Sequence, residues 1–314
     1  MLNVLVVLAV VVTDSPKTFI TAASGMRLRA TAAANAAEVT RLPICTVLKE
    51  LEAPGAKVNV GGQDGVWEHL ESSDGKQGWM FSPGLRVLDA ATADETYVAL
   101  AAERAGKKDM TFVERADLYN CLKRASAESK DPERGGKLAL ARFTVLRDAL
   151  SAVGNGSEKQ PYKGFLAQHK DDVVYSEPAG EWFANAKSIW DMEAKYHATS
   201  SAEPLAWLAA STNHPGECED YLGCYLAYSE MEEGEYLKRH TTGAHVGAAL
   251  KLYGEYKVEN AFIDELDGAD IAGIIKQVDE QLTLIRACAE SPERKKAEKA
   301  MTALRNALKK KQKA

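Results

Sequence analysis

Two hydrophobic periodicities divide the chain near residue 90. Across residues 19–88, short apolar runs alternate with Gly-rich or Asp-Gly turns, a pattern typical of antiparallel strands joined by hairpins. The runs of strand length lie at 26–30, 38–42, 46–52, 66–71 and 77–82. Closing such short strands into a barrel removes most exposed sheet edges, so the pattern predicts a small β-barrel.

After the small polar residues 89–93, apolar side chains recur at helical spacing. Thr111 and Glu114 have the spacing of a capping box, and Ser291 followed by Pro292 is typical of a helix start. The predicted helices lie near residues 93–105, 112–126, 138–150, 271–285 and from 292 onward. The C-terminal part is therefore predicted to be all-α, built from antiparallel helix pairs.

Length and composition agree with a multi-domain β + α protein. The 314 residues exceed the usual size of one domain. A 46% share of hydrophobic residues, 27% charged residues and a net charge of -6 are typical of globular chains, and they exclude disordered, fibrous and multi-span membrane classes. The predicted organisation is an apolar leader at 1–16, the barrel at 17–89 and the helical domain at 93–314.

The first thirteen residues are almost entirely apolar and are followed by Asp14, Ser15 and Pro16. This is the length of a secretory signal core, and it is shorter than the roughly 20 residues that span a bilayer. No Lys or Arg precedes the run, which departs from the usual signal, and a buried N-terminal strand is the alternative. We favour a signal peptide, export to the periplasm or cell envelope, and no integral membrane span.

The C-terminal residues 293–314 contain nine basic and two acidic side chains, so the rest of the chain carries a net charge of -13. Basic tails bind nucleic acid, anionic membranes or acidic partners. Here Ala297, Met301, Leu304 and Leu308 recur at helical spacing, and no aromatic side chain is interleaved for base stacking. We interpret the tail as a solvated helix face and expect no nucleic-acid partner.

The N-terminal part resembles the bacterial SH3-like (SH3b) domain over residues 17–89. The likeness is carried by GMRLRA at 25–30, VTRL at 39–42, TVLKEL at 46–51, VW at 66–67 and DGKQGWMFS at 74–82. Ile44-Cys45 stands where the family usually has a glycine in its second turn. The resemblance implies a small barrel with an aromatic-lined groove that accepts an extended peptide or a cell-wall glycopeptide.

The predicted ligand-binding residues in this part are Trp67, His69 and Trp79. Alternation along a strand sends Trp67, His69 and Glu71 to one face. Trp67 suits a groove and a core position equally, whereas Trp79 suits a core position that closes the barrel better than a groove. The expected ligand is a peptide, a protein or peptidoglycan.

A short segment of the helical part resembles the helix pairs of tetratricopeptide-like bacterial proteins. It contains EGEYL at 233–237, His240, Gly243, His245 and AAL at 248–250. The resemblance implies a scaffold that binds partners along helix faces.

Cys218 and Cys224 form the most unusual local feature. On one continuous helix they would lie about 9 Å apart along the axis, beyond the reach of a disulfide. Pro215, Gly216 and Gly223 favour a turn, and export favours oxidation. We predict a Cys218–Cys224 disulfide, with two buried thiols as the alternative. The other cysteines are interpreted as lone thiols, namely Cys45, Cys121 and Cys288.

His214, His240 and His245 lie near this cysteine pair in sequence. Their spacing fits no common zinc pattern, so we predict no metal site and no cofactor, and we expect the histidines to cap helices or bond to neighbouring side chains.

The chain lacks the Gly-x-Ser-x-Gly, phosphate-loop and dinucleotide-binding signatures. The acidic run Glu230, Glu232, Glu233 and Glu235 is interpreted as a solvated face. The aromatic set is interpreted as one well-buried helix, with a ligand cleft as the alternative. Its members are Trp182, Phe183, Trp190 and Tyr196.

These features predict a non-enzymatic exported cell-envelope protein, with no catalytic residues assigned. Its SH3-like module would bind the ligand and its helices would form a scaffold. The alternative is a hydrolase with an SH3-like targeting domain and a helical catalytic domain. A pocket that contains His214, His240 and a carboxylate together would favour this alternative. Reduced Cys218 and Cys224 would favour a third possibility, an intracellular adaptor.

Overall fold

The computed structural model describes residues 16–255, 263 and 266–313. The predicted leader, apart from Pro16, lies outside the described residues. The chain divides into two compact units, one ending at Leu100 and the other beginning at Ala101.

The N-terminal unit is an antiparallel β-sheet region. Its strands are β1 (Thr18–Thr21), β2 (Met26–Arg29), β3 (Glu38–Leu42), β4 (Val47–Glu52), β5 (Val58–Val60), β6 (Gln63–Gly65), β7 (Trp67–Ser72), β8 (Gln77–Phe81) and β9 (Leu85–Val87). Seven strands form one sheet in the order β3-β2-β8-β7-β4-β1-β9, and β5 pairs with β6. The five predicted strands correspond to β2, β3, β4, β7 and β8 within one or two residues, so this part of the prediction is confirmed.

The sheet of this unit is open rather than closed. Within the described residues β3 and β9 are its ends, each with one neighbouring strand, and the predicted barrel closure is absent. β9 has three residues and pairs only with β1. β2 and β8 are joined at a single pair, Arg29 and Trp79. Such short ladders leave too little hydrogen-bonded length to join the two ends.

Alternation along the strands separates an apolar core from an aromatic outer face. Leu48, Leu70 and Met80 point to the core side, where they pack with the other buried side chains of the sheet. Trp67 and His69 have the opposite parity on β7 and lie on the other face. The sequence period of two therefore sets which side chains face the core and which face away from it.

The C-terminal unit is mainly helical. The helices are α1 (Ala93–Arg104), which contains the division between the units, α2 (Phe112–Glu128), α3 (Pro132–Leu150), α4 (Tyr162–Gln168), α5 (Ala186–Lys195), α6 (Ala202–Ala210), α7 (Leu222–Ser229), α8 (Glu235–Arg239), α9 (Val246–Tyr253), α10 (Gly268–Ala287) and α11 (Pro292–Gln312). A hairpin of β10 (Val173–Ser176) and β11 (Glu181–Ala184) corrects the prediction of an all-α domain. Among the described helices, none is long and apolar enough to cross a membrane.

The predicted capping signals and apolar stripes organise this unit. Thr111 and Glu114 form the expected capping box at α2, and the Ser291 side chain accepts from Arg294 N at 3.0 Å at α11. The apolar stripe of α10 packs with that of α11, α7 and α9 in one buried cluster. The basic side chains of α11 lie outside that cluster, as expected of an amphipathic helix.

A close backbone approach makes Gly78 a sensitive position. A Cβ atom there would lie 2.6 Å from the carbonyl oxygen of Arg29 and 2.9 Å from Cγ of Leu28. Since a backbone atom cannot move aside cheaply, we expect Gly78→Ala to destabilise the β unit by about 1–3 kcal/mol. Thermal unfolding followed by circular dichroism measures the effect. Gly55→Ala is the control, because its Cβ meets nothing within 4 Å; equal melting temperatures for both variants would contradict the expectation.

Candidate functional site

Four aromatic side chains form a strip on the outer face of the β unit. Trp67 pairs across the strands with Phe81, and His69 pairs with Trp79. The Trp67 and Phe81 rings have centroids 5.4 Å apart at 44°. The imidazole of His69 stacks on the Trp79 indole with centroids 4.6 Å apart and an interplanar angle of 8°. All three predicted ligand-binding residues therefore share this face.

The two ends of the aromatic strip differ in exposure. Trp67 is 8% exposed, whereas the side chains of His69 and Trp79 are both partly exposed. His69 Nδ1 lies 3.1 Å from Glu52 Oε1, which fixes the imidazole over the indole. The surface available to a ligand is thus the His69–Trp79 stack, bordered by a carboxylate, and Trp79 packs on His69 rather than in the core cluster.

The helical unit contains a cleft of about 460 Å³. Val174 of β10, Trp190 of α5, Pro215 and Met231 contribute to its apolar lining. This volume falls within the range of roughly 300–1,000 Å³ that is typical of small-molecule sites. Sequence analysis gave a ligand cleft only as the alternative for the aromatic set, of which Trp190 lines this cleft, and it did not predict the other lining residues.

Most charged groups around the cleft neutralise each other. Lys187 Nζ lies 2.8 Å from Asp191 Oδ2. Arg239 places Nη1 2.6 Å from Glu193 Oε2 and Nε 2.7 Å from Glu235 Oε1. Both cations of the lining therefore have carboxylate partners.

Two further carboxyl groups lack such partners. Glu232 lines the cleft, Glu233 is buried beside it, and neither forms an ion pair within the described part of the chain. Burial, with a smaller contribution from the charge of Glu233, raises the pKa of Glu232 to about 7. Burial also raises the pKa of Glu233 to about 7. Both groups are therefore partly protonated at neutral pH.

A π-helical turn, Glu230–Gly234, joins α7 to α8 and carries both carboxyl groups. Such turns insert an extra residue and are frequent at functional sites. The hydroxyl of Tyr253 donates to the carbonyl oxygen of Ser229 at 3.0 Å, which ties the turn to α9. A Cβ at Gly234 would lie 2.9 Å from that hydroxyl oxygen, so this glycine permits the close approach.

A disulfide holds the start of α7. Cys218 and Cys224 are bonded, with Cα atoms 5.4 Å apart. The bond closes the turn that the sequence predicted there: Tyr221 N donates to Cys218 O at 2.7 Å, and Glu219 and Asp220 have φ of 43° and 62°. Consecutive positive φ values are the geometry of a type I′ turn.

The histidines near this turn do not converge. His214 lines the cleft and stacks on Tyr228 with centroids 3.6 Å apart, and burial lowers its pKa. His240 Nε2 lies 3.1 Å from Glu193 Oε1 instead, and His245 Nδ1 lies 2.7 Å from Glu203 Oε1. In the part of the chain that the structure describes, no three His, Cys, Asp or Glu side chains are arranged to hold a metal ion.

The interpretation of the acidic run as a solvated face is wrong for Glu233, which is 9% exposed because the π-helical turn directs it inward. Glu230, Glu232 and Glu235 are partly exposed. No local sequence signal marks this turn.

The aromatic set does not form one helix. Trp182 and Phe183 lie on β11, and only Trp190 lies on a helix, α5. Pro178 and Gly180, which form the turn of the hairpin, are the signal that could have predicted it.

The remaining cysteines differ from the prediction of three lone thiols. Cys45 and Cys121 are both disulfide-bonded, and only Cys288 is a free, buried thiol. Burial raises the pKa of Cys288, which keeps it in the unreactive protonated form.

No protein-family model, curated protein or solved structure matches this chain.

The Cys218–Cys224 bond closes a short loop, and its removal is testable. We expect Cys218→Ser/Cys224→Ser to lower the free energy of unfolding by about 2 kcal/mol, because the reduced loop gains conformational entropy when unfolded. Urea denaturation without reductant measures this. Cys288→Ser is the control for replacing a buried sulfur without breaking a bond. An unchanged urea midpoint in the double variant would contradict the expectation.

Glu233 makes stability depend on pH with a defined sign. Its pKa rises from 4.5 to about 7 on folding, so the folded state binds more protons between these values and its stability falls as pH rises through them. Glu233→Gln cannot ionise. We expect it to gain little at pH 4 and roughly 3 kcal/mol at pH 8 relative to the original chain. Urea denaturation at both pH values measures the gain, with the exposed Glu177→Gln as control; equal gains at both pH values would contradict it.

Proposed function

We propose that this chain is a non-enzymatic exported protein of the cell envelope whose SH3-like β unit binds an extended cell-wall ligand. The observation that carries the proposal is the His69–Trp79 stack on the face opposite the core. A flat, partly exposed aromatic surface offers apolar contact to an extended chain. The adjacent Glu52 carboxylate accepts hydrogen bonds from its amide groups.

Backbone geometry supports the SH3-like interpretation of this unit. Cys45 has φ of 62°, in the region that favours glycine, and it occupies the turn where the resembled family usually has one. Gly78, beside Trp79, is required for the approach of β2 to β8. The backbone geometry at Cys45 and Gly78 therefore supports the proposed SH3-like fold of this unit.

The oxidation state of the cysteines supports export. Two disulfides are compatible with an oxidising, extracytoplasmic location. This argues against an intracellular adaptor, and it is consistent with the proposed periplasmic or envelope location.

The helical unit would serve as a scaffold for a protein partner. The segment that resembles a tetratricopeptide-like pair forms α8 and α9, joined by a turn. Gly243 lies in this turn, where a Cβ would approach the hydroxyl of Tyr236 to 2.3 Å. The short turn keeps the two helices adjacent, as a helix-pair scaffold requires.

The hydrolase alternative receives partial support from the cleft. His214, Glu232 and Glu235 line it, but His240 is held by Glu193 outside the lining. The combination that would favour catalysis is therefore incomplete, and binding is the function that we propose.

A sedimentation assay with purified cell-wall sacculi tests the proposal. We expect the full chain to co-sediment and Trp79→Ala to weaken binding at least tenfold, because the substitution removes the flat surface under His69. Val39→Ala is the matched control, since Val39 is an exposed apolar side chain of the same unit at 43% exposure. Equal binding by both variants, or no binding by the original chain, would overturn the proposal.

Two arms refine the result of this assay. Glycan strands stripped of peptides distinguish binding to the sugar chain from binding to the peptides. Release of soluble wall fragments during incubation would instead indicate the hydrolase.

A further inference from the structure

When the ion pairs around the cleft of the helical unit are set aside, one carboxyl group of its lining remains without a cation among the described residues. Lys187 and Arg239 are neutralised by their own carboxylate partners. Glu232 also lines the cleft, and no cation of the described chain lies within ion-pair distance of it. The group that the cleft lacks is therefore a positive charge facing Glu232.

One wall of the cleft already binds a positively charged side chain of the protein, that of Arg239. The guanidinium of Arg239 lies 5.0 Å from the ring centroid of Trp190 and contacts the carboxylates of Glu193 and Glu235. Carboxylates combined with an aromatic face stabilise an alkylated cation in a partly desolvated site. Glu232 is the carboxyl group of this wall that remains without such a cation.

Other ligand classes fit this lining less well. An anion would find both cations already paired and would meet an additional carboxyl group. A purely apolar ligand would cover Glu232 and leave a buried polar group without a partner, which costs free energy. A cation on an apolar body satisfies the carboxyl group and fills the space beside Trp190 and Met231 at once.

We propose that the cleft between β10, α5 and the π-helical turn is a second binding site, and that it takes a ligand with one ammonium group on an apolar body. Glu232 pairs with the ammonium group, and Trp190, Val174 and Met231 contact the apolar body. Met231 is 50% exposed and lies at the surface of the cleft, so a ligand can enter from solvent. This site is independent of the aromatic strip on the β unit.

The raised pKa of Glu232 accords with this geometry. Near neutral pH this group is partly protonated in the folded chain. A bound ammonium favours the ionised form, so the proton leaves as the ligand binds.

Isothermal titration calorimetry with hexylammonium at pH 8 tests the proposal on the full chain, and hexanol serves as the neutral ligand of the same length. We expect hexylammonium to bind at least tenfold more tightly than hexanol. Glu232→Gln should remove this preference, and hexanol should bind the variant at least as tightly as it binds the original chain, since a neutral amide costs less to cover than a carboxylate. Glu177→Gln, an exposed change elsewhere in the unit, should behave like the original chain.

A second pair of probes distinguishes a free amine from a peptide side chain. Nα-acetyl-lysine methylamide carries the same ammonium group on a peptide backbone, and its Nε-acetylated form is neutral. Tighter binding of the charged form, lost in Glu232→Gln, assigns the site to lysine side chains as well as to free amines.

Three results would overturn the proposal. They are equal binding of hexylammonium and hexanol, no binding of hexylammonium by the original chain, and an undiminished preference in Glu232→Gln. Hexanol binding by the variant that is at least as tight as in the original chain shows that the variant folds. A failure of binding to sacculi leaves these outcomes unaffected, so the two proposals fail separately.

Discussion

The packing of β10 and α5 against α2 and α3 depends on the ion cluster around the carboxylate of Asp172. This carboxylate accepts hydrogen bonds from Tyr119 at 2.5 Å and Lys123 at 2.6 Å, both on α2, and from Arg142 on α3 at 2.7 Å. Burial raises the pKa of Asp172, but Arg142, followed by Lys123 and Tyr119, outweighs that effect and holds it below the usual value. The group is therefore a buried anion, and its removal would leave the buried guanidinium of Arg142 without its counter-ion.

Hydrogen bonds to the backbone next to this ion cluster connect it to the walls of the cleft. The carbonyl oxygen of Asp172 accepts from Asn185 N at 2.8 Å, and that of Asp171 accepts from Ser188 Oγ at 2.7 Å. Asn185 caps α5, so the two bonds fix the start of the helix that carries Trp190. β10 begins one residue after Asp172. One buried ion cluster thus positions two walls of the cleft against α2 and α3.

Local patterns predicted the strands of the β unit and the long helices, because alternation of period two and the cap at Ser291 depend on near neighbours in sequence. They did not predict the β10–β11 hairpin, since its two strands have four residues each and resemble parts of a helix in a fifteen-residue window. The shared face of Trp67 and His69 followed from alternation, whereas the place of Trp79 on that face depends on the pairing of β7 with β8. The stack of His69 on Trp79 did not, because it depends on cross-strand register.

The partial burial of Glu232 and the burial of Glu233 were not predicted, because they result from tertiary packing around the π-helical turn, whereas a run of glutamates usually indicates solvent. Such burial costs roughly 3 kcal/mol for Glu233 once the group is ionised. The nearby Cys218–Cys224 bond contributes about 2 kcal/mol in the opposite direction. An oxidised chain can therefore retain inward-facing carboxyl groups that a reduced chain would tolerate less well. The redox state of Cys218 and Cys224 is therefore coupled to the integrity of the cleft.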